Sequence, residues 1–136
     1  MLSPSWITVR LFLHVLGAAI WVGGQIVLAG LVPGLRRISP EAPRFAARRF
    51  NVMAWSAFGL LLVTGIWNLL QIDVGDRSLS YQVTLGLKLT AVALTGAGAF
   101  LHSISRTRTG LAVWGSIAGV FGIVALFLGE LLTTGS

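Results

Sequence analysis

Four long runs of apolar residues, separated by short polar segments, dominate the pattern along the chain. The runs extend over about 6–31, 50–70, 81–104 and 111–132. Each is close to the roughly 20 residues that an α-helix needs to cross the hydrocarbon of a bilayer. Because the runs account for most of the 136 residues, the pattern predicts an all-α integral membrane protein. We expect a single domain over residues 1–136, built as a four-transmembrane-helix bundle.

The polar segments between the runs carry positive charge unevenly. The first segment holds five arginines and the third holds two, whereas the second holds one. Because positively charged loops stay on the cytoplasmic side, loops one and three are expected to be cytoplasmic. Both chain ends are then non-cytoplasmic (N-out/C-out). The first run has no basic leader and no clear cleavage site after it, so we interpret it as a true span.

The start of the second helix is marked by Ser39 and Pro40. Serine is a preferred N-cap residue, and proline is favoured at the first helical position. We therefore expect a short amphipathic stretch to begin here and to lead directly into the second span.

The composition supports a membrane protein. Hydrophobic residues make up 55% of the chain and charged residues only 10%, whereas about a quarter of a soluble domain is charged. The absence of cysteine excludes disulfides and thiolate metal sites. The formal charge of +6 is concentrated in two loops, where it acts as a topology signal beside lipid head groups. We expect a multi-pass protein of a bacterial plasma membrane, with the lipid bilayer as partner and no binding to nucleic acid.

Polar and small residues follow one face of the first and third predicted helices, at spacings of three and four. On the first helix they are Arg10, His14, Gly17, Ala18, Trp21, Gly24 and Gln25. On the third helix they are Thr84, Lys88, Ala91, Thr95, Gly98 and His102. Because lipid offers no hydrogen-bond partners, both faces are expected to point towards other helices. Ionisable residues inside a membrane are functional candidates by default.

Glycines recur on the fourth predicted helix at Gly115, Gly119 and Gly122. Small residues allow helices to approach closely, so we expect these glycines to serve packing. The glycine-rich faces of the first and fourth helices also make a homo-oligomer plausible.

Depth in the membrane decides which ionisable residues can act together. Arg10, His14, Lys88 and Glu130 all fall in the outer half of their predicted spans, and we expect them to form one cluster. His102 lies near the cytoplasmic end of the third span. At 1.5 Å per residue it is roughly 20 Å in depth from His14. The two histidines are therefore too far apart to bind one ion together.

The chemistry of the predicted outer cluster fits either a metal ion or a haem. A neutral imidazole can ligate copper or haem iron. Arg10 and Lys88 would repel a bare cation but would suit the carboxylates of a haem. The alternative is that Lys88 and Glu130 form a buried ion pair and that His14 serves helix packing. No nucleophile paired with a base and no phosphate-binding loop is present, which favours a binding protein over an enzyme.

The segment His14-Val15-Leu16-Gly17-Ala18-Ala19-Ile20-Trp21-Val22-Gly23-Gly24 resembles the opening helix of the copper-resistance protein D (CopD) domain family. The resemblance continues at Val32-Pro33, Thr64-Gly65 and Leu87-Lys88-Leu89. It implies a plasma-membrane protein that handles copper in uptake or tolerance. It also implies that His14 contacts the metal, that Trp21 and the paired glycines shape the site, and that Lys88 corresponds to the family's lysine. His102 is a second candidate metal ligand, to which the ion would pass inward.

The chain also resembles, more distantly, the HemJ-type protoporphyrinogen oxidases. These are small membrane bundles with a histidine in the first span and a lysine opening a later one, positions that His14 and Lys88 match. This resemblance implies that His14 is the axial ligand of haem b and that Arg10 and Lys88 lie near its propionates. Copper handling is the expected function, with haem binding as the alternative. A structural role as a small partner subunit is the second alternative.

Overall fold

The computed structural model describes residues 1–135, and every regular element among them is helical. The four long helices are α1 (Trp6–Ile38), α2 (Ala42–Leu69), α3 (Leu79–Ile104) and α4 (Arg108–Thr134). Each is long and apolar enough to cross a membrane. The prediction of an all-helical chain with four such helices is confirmed.

Helix α1 extends further than the apolar run that predicts it. The run ends near Pro33, but the helix continues through this residue to Ile38. Proline cannot donate a backbone hydrogen bond, and the helix continues past this missing bond. The last turn holds Arg36 and Arg37, where positive charge is favourable beside the partial negative charge of a helix C-terminus.

Helix α1 also contains one π-helical turn, Ala19–Gly23, between its α-helical parts Trp6–Ala18 and Gly24–Ile38. A π-turn inserts an extra residue into the helical repeat, and such turns are frequent at functional sites. This π-turn contains Trp21, the aromatic residue of the CopD-like segment. The hydrophobic pattern gave no sign of this turn.

The start of α2 differs slightly from the prediction. The Ser39 hydroxyl oxygen accepts a hydrogen bond from the Ala42 N–H at 3.1 Å, as a capping side chain does. Regular helix begins at Ala42, because Pro40 and Glu41 form a turn instead of the first helical residues. From there α2 runs without a break from the arginine-rich segment into the apolar one.

The chain divides into two compact units, Met1–Ile72 and the part that begins at Asp73. The first unit holds α1 and α2, which pack against each other as an antiparallel pair, here called the first hairpin. The second unit holds α3 and α4, which pack in the same way and are called the second hairpin.

Small residues bring the two helices of the first hairpin together. A Cβ atom added at Gly17 would lie 3.0 Å from Leu61 Cγ and 3.1 Å from the Ala57 carbonyl oxygen. Next to this contact, Trp21 is only 2% exposed. Its ring centroid lies 5.5 Å from that of Trp55 and 4.5 Å from that of Phe58. Glycine and aromatic packing together form the core of this hairpin.

The second hairpin is closed by a glycine contact and a side-chain hydrogen bond. A Cβ atom at Gly98 would lie 2.8 Å from the Ala118 backbone nitrogen and 3.1 Å from the Trp114 carbonyl oxygen. One turn away, the Thr95 hydroxyl donates to the Ala118 carbonyl at 2.6 Å. The close approach at Gly98 allows a threonine on α3 to reach the backbone of α4.

We predict that Gly98→Ala destabilises the protein, because the added methyl group must push α3 away from the backbone of α4. Overpacking of this kind costs about 1–3 kcal/mol. Gly86→Ala is the matched control on the same helix, since nothing lies within 4 Å of its Cβ position. The control should be neutral or stabilising by up to about 1 kcal/mol. Thermal unfolding in detergent measures both variants, and equal stability would contradict the proposed contact.

Candidate functional site

His14 lies on α1 with its ring directed at α2. Its Nδ1 is 2.8 Å from the Thr64 hydroxyl oxygen. That hydroxyl donates its single proton to the Leu60 carbonyl at 2.6 Å, so it accepts from the histidine. Nδ1 therefore carries the proton, and in the neutral ring the lone pair resides on Nε2. Histidines that bind metals are commonly oriented in this way, with one ring nitrogen donating to an oxygen and the other ligating.

Gly65 lies beside the His14 ring. A Cβ atom at this position would be 3.5 Å from His14 Cε1, an ordinary van der Waals distance. Thr64 thus forms a hydrogen bond with the ring, and Gly65 lies in contact with its edge. In the sequence, this pair stands out only as part of the CopD-like resemblance. The structure shows that Thr64, which is almost completely buried, contacts the candidate ligand directly.

A buried donor and a buried acceptor occur one helical turn beyond His14 and Thr64. Arg10 Nε and Asn68 Oδ1 both lack a hydrogen-bond partner among the described residues. The pairings of Gly17 with Leu61 and of His14 with Thr64 set the register of the two antiparallel helices. Continuing that register by one turn places Arg10 opposite Asn68. Buried polar groups without partners are costly, so this level of the hairpin suits a polar ligand or water.

Trp21 lies two helical turns from His14, roughly 10 Å along the helix axis. Its ring packs on Trp55 and Phe58 in the core of the first hairpin. Gly24, one turn further on, lies so close to Phe50 that an added Cβ atom would overlap its ring. These residues pack α1 against α2 on the side of His14 that faces the closed end of the hairpin.

Lys88 and Glu130 both belong to the second hairpin, where the Glu130 carboxylate attracts the Lys88 ammonium group electrostatically. The Lys88 ammonium nitrogen would lie 3.2 Å from a Cβ atom at Gly129, so the side chain extends across this glycine. The four residues of the predicted outer cluster thus fall into two pairs. Arg10 and His14 belong to the first hairpin, and Lys88 and Glu130 to the second. A single cluster of four stays a prediction.

His102 lies near the C-terminal end of α3 and contacts the start of α4. Its Nδ1 is 2.8 Å from the Leu111 carbonyl oxygen. Since a carbonyl only accepts, Nδ1 carries the proton and the lone pair of the neutral ring is on Nε2, as in His14. A Cβ atom at Gly115 would be 3.0 Å from His102 Nδ1. From the sequence we expect Gly115 to serve helix packing, whereas in the structure it accommodates the imidazole.

Three ionisable side chains of the candidate site, His14, Lys88 and His102, each lie against a glycine of the neighbouring helix. The pairs are His14 with Gly65, Lys88 with Gly129, and His102 with Gly115. A glycine removes the side chain that would otherwise occupy this position, which leaves room for a ring or an ammonium group between two close helices. The sequence contains all three glycines, but their pairing depends on the register of the hairpins.

Among residues 1–135, no group of three or more His, Cys, Asp or Glu side chains is arranged to hold a metal ion. Comparison with protein-family models, curated proteins and solved structures finds no match for this chain. The CopD-like and HemJ-like resemblances stay predictions that depend on the residues quoted above.

We predict that Thr64→Val releases the His14 ring while preserving the shape of the side chain. Without the hydroxyl, Nδ1 loses its acceptor, and the neutral ring populates both tautomers. Nitrogen-15 NMR of labelled histidine distinguishes the tautomers directly. Loss of a partner of this kind commonly reduces metal affinity about 10- to 100-fold.

The matched control for this experiment is Thr90→Val. The Thr90 hydroxyl is exposed and bonds only within its own helix, to the Gly86 carbonyl. The tautomer of His14 should be unchanged in this variant. An Nδ1–H tautomer that persists in Thr64→Val would show that the threonine does not orient the ring.

Proposed function

We propose that the chain is a multi-pass protein of a bacterial plasma membrane, with loops one and three cytoplasmic and both ends outside. Four helices of spanning length and apolar composition support the membrane location. The proposed orientation comes from the arginines, five of which lie in the segment that connects α1 to α2. By the positive-inside rule this segment faces the cytoplasm.

Within this membrane protein, we infer that His14 binds copper during uptake or in tolerance of the metal. The observation that carries the proposal is the hydrogen bond between His14 and Thr64. It supports the tautomer whose lone pair is on Nε2, and imidazole nitrogen is a ligand that suits copper. The CopD-like segment that begins at His14 indicates copper in preference to other metals.

His102 is the second imidazole in this proposal. It has the same tautomer as His14, because its Nδ1 donates to a backbone carbonyl. The side chain is exposed and lies near the end of α3 that we place at the cytoplasmic surface. Copper that leaves His14 would be taken up there, and the ion is substrate at both positions rather than a resident cofactor.

Haem b is the second candidate ligand of His14, and a specific observation favours it. Arg10 Nε is buried without a hydrogen-bond partner one turn from His14, and a haem propionate would supply an acceptor for it. A haem needs only one axial imidazole from the protein, which His14 provides. Bound haem would give the protein redox chemistry, while Thr64 would hold the axial ring and Arg10 would bind the propionate.

We predict that His14→Ala abolishes copper binding at this position and lowers the copper content of the protein, because the variant lacks the ligating nitrogen. The measurement is an absorption spectrum of the gently purified protein together with metal analysis of the same sample. His102→Ala is the control and should retain copper at His14. Copper bound equally well by His14→Ala would refute the copper proposal.

The same spectrum tests the haem alternative. A haem band in the wild-type protein that disappears in His14→Ala would establish haem as the ligand. A wild-type protein with neither copper nor haem, after both have been supplied, would contradict both candidates. His14 would then serve helix packing in a structural subunit.

A further inference from the structure

Five arginines occupy the closed end of the first hairpin. We call them the arginine cluster: Arg36, Arg37, Arg44, Arg48 and Arg49. All five side chains are exposed. The only acidic residue between the first and last of them is Glu41, so five positive charges face one negative charge. The excess of four positive charges is concentrated within residues 36–49.

The lengths of α1 and α2 place this cluster outside the hydrocarbon of a bilayer. Helix α1 has 33 residues and α2 has 28. At 1.5 Å per residue these lengths correspond to about 50 and 42 Å, whereas the hydrocarbon is about 30 Å thick. Since the charged residues lie at the closed end, the excess length projects there. The arginines are consequently at the level of the lipid phosphates.

Apolar side chains accompany the arginines. Ile38 is 79% exposed and Phe45 is 65% exposed. The guanidinium carbon of Arg49 lies 5.7 Å from the centre of the Phe45 ring, in a cation–π contact. In helix α2, Arg44 and Arg48 are four residues apart and therefore project from the same face. The surface combines guanidinium groups with exposed apolar side chains, which matches a molecule that is anionic at one end and apolar at the other.

We propose that the arginine cluster binds the phosphate group of anionic glycerophospholipids, with Arg44 and Arg48 as the central pair. Guanidinium groups bind phosphate oxygens through two parallel hydrogen bonds, which a lysine ammonium cannot reproduce. Ile38 and Phe45 contact the glycerol and upper acyl region of the same lipid. This inference rests on the membrane location, and it does not depend on copper or haem at His14.

A simple topology signal requires only positive charge near the membrane, whereas a phosphate site requires the planar guanidinium. Two double variants separate these possibilities. Arg44→Lys/Arg48→Lys keeps the charge, and therefore the orientation, but removes the paired hydrogen bonds. Arg44→Gln/Arg48→Gln removes both. Arg106→Gln/Arg108→Gln is the matched control, because it removes two charges from loop three, the other loop that we place in the cytoplasm.

The experiment measures lipid binding by the full chain. Each protein is reconstituted into vesicles of phosphatidylcholine with a small fraction of phosphatidylglycerol, and the lipids retained after mild extraction are quantified by mass spectrometry. Wild-type protein should retain phosphatidylglycerol in excess of its share of the vesicle. At about fivefold per arginine, the double glutamine variant should lose roughly 25-fold in affinity. The lysine variant should lose several-fold, and the control variant should retain the lipid.

Four results would overturn the proposal. Wild-type protein without enrichment in phosphatidylglycerol would show that there is no lipid site. Equal losses in the cluster and control glutamine variants would indicate diffuse surface attraction. Undiminished binding by the lysine variant would show that charge alone suffices. Thermal stabilisation of the detergent-solubilised protein by inorganic phosphate, equal to that by phosphatidylglycerol, would identify the ligand as free phosphate.

Discussion

Both hairpins depend on the close approach of two antiparallel helices over small residues. Gly17 brings α1 against α2, and Gly98 brings α3 against the backbone of α4. Interfaces of this kind suit a membrane, where packing and interhelical hydrogen bonds replace the hydrophobic driving force. Because the helices are close, side chains as short as threonine reach across the interface. Thr95 bonds to the backbone of α4, and Thr64 bonds to His14.

This packing also determines the chemistry of the candidate ligands. Between two close helices, each imidazole finds both a hydrogen-bond acceptor oxygen and a glycine on the neighbouring helix. The oxygen comes from Thr64 for His14 and from the Leu111 carbonyl for His102. In both cases the acceptor favours the proton on Nδ1, which leaves the lone pair of the neutral ring on Nε2. Two histidines on different hairpins thus acquire the same tautomer from different partners.

The sequence was sufficient to predict four helices of spanning length, because the length of an apolar run translates directly into a helix. It also indicated His14 and Lys88 as candidate functional residues, since ionisable residues are conspicuous in apolar runs. It did not predict the π-turn at Ala19–Gly23, which leaves no mark on hydrophobic periodicity. Nor did it assign roles to Thr64 and Asn68, because their positions opposite His14 and Arg10 follow from the register of α1 and α2. Register depends on packing between helices, which a single-helix pattern does not contain.

In our proposal, Thr64 orients His14 so that Nε2 binds the metal. Pulsed electron paramagnetic resonance of the protein loaded with Cu²⁺ is the decisive measurement, because the method detects the remote nitrogen of a coordinated imidazole. Wild-type protein should show the modulation of a single imidazole whose remote nitrogen, Nδ1, is protonated and hydrogen-bonded. The signal should change in Thr64→Val and disappear in His14→Ala. A spectrum without imidazole modulation, or one that persists in His14→Ala, would contradict this account.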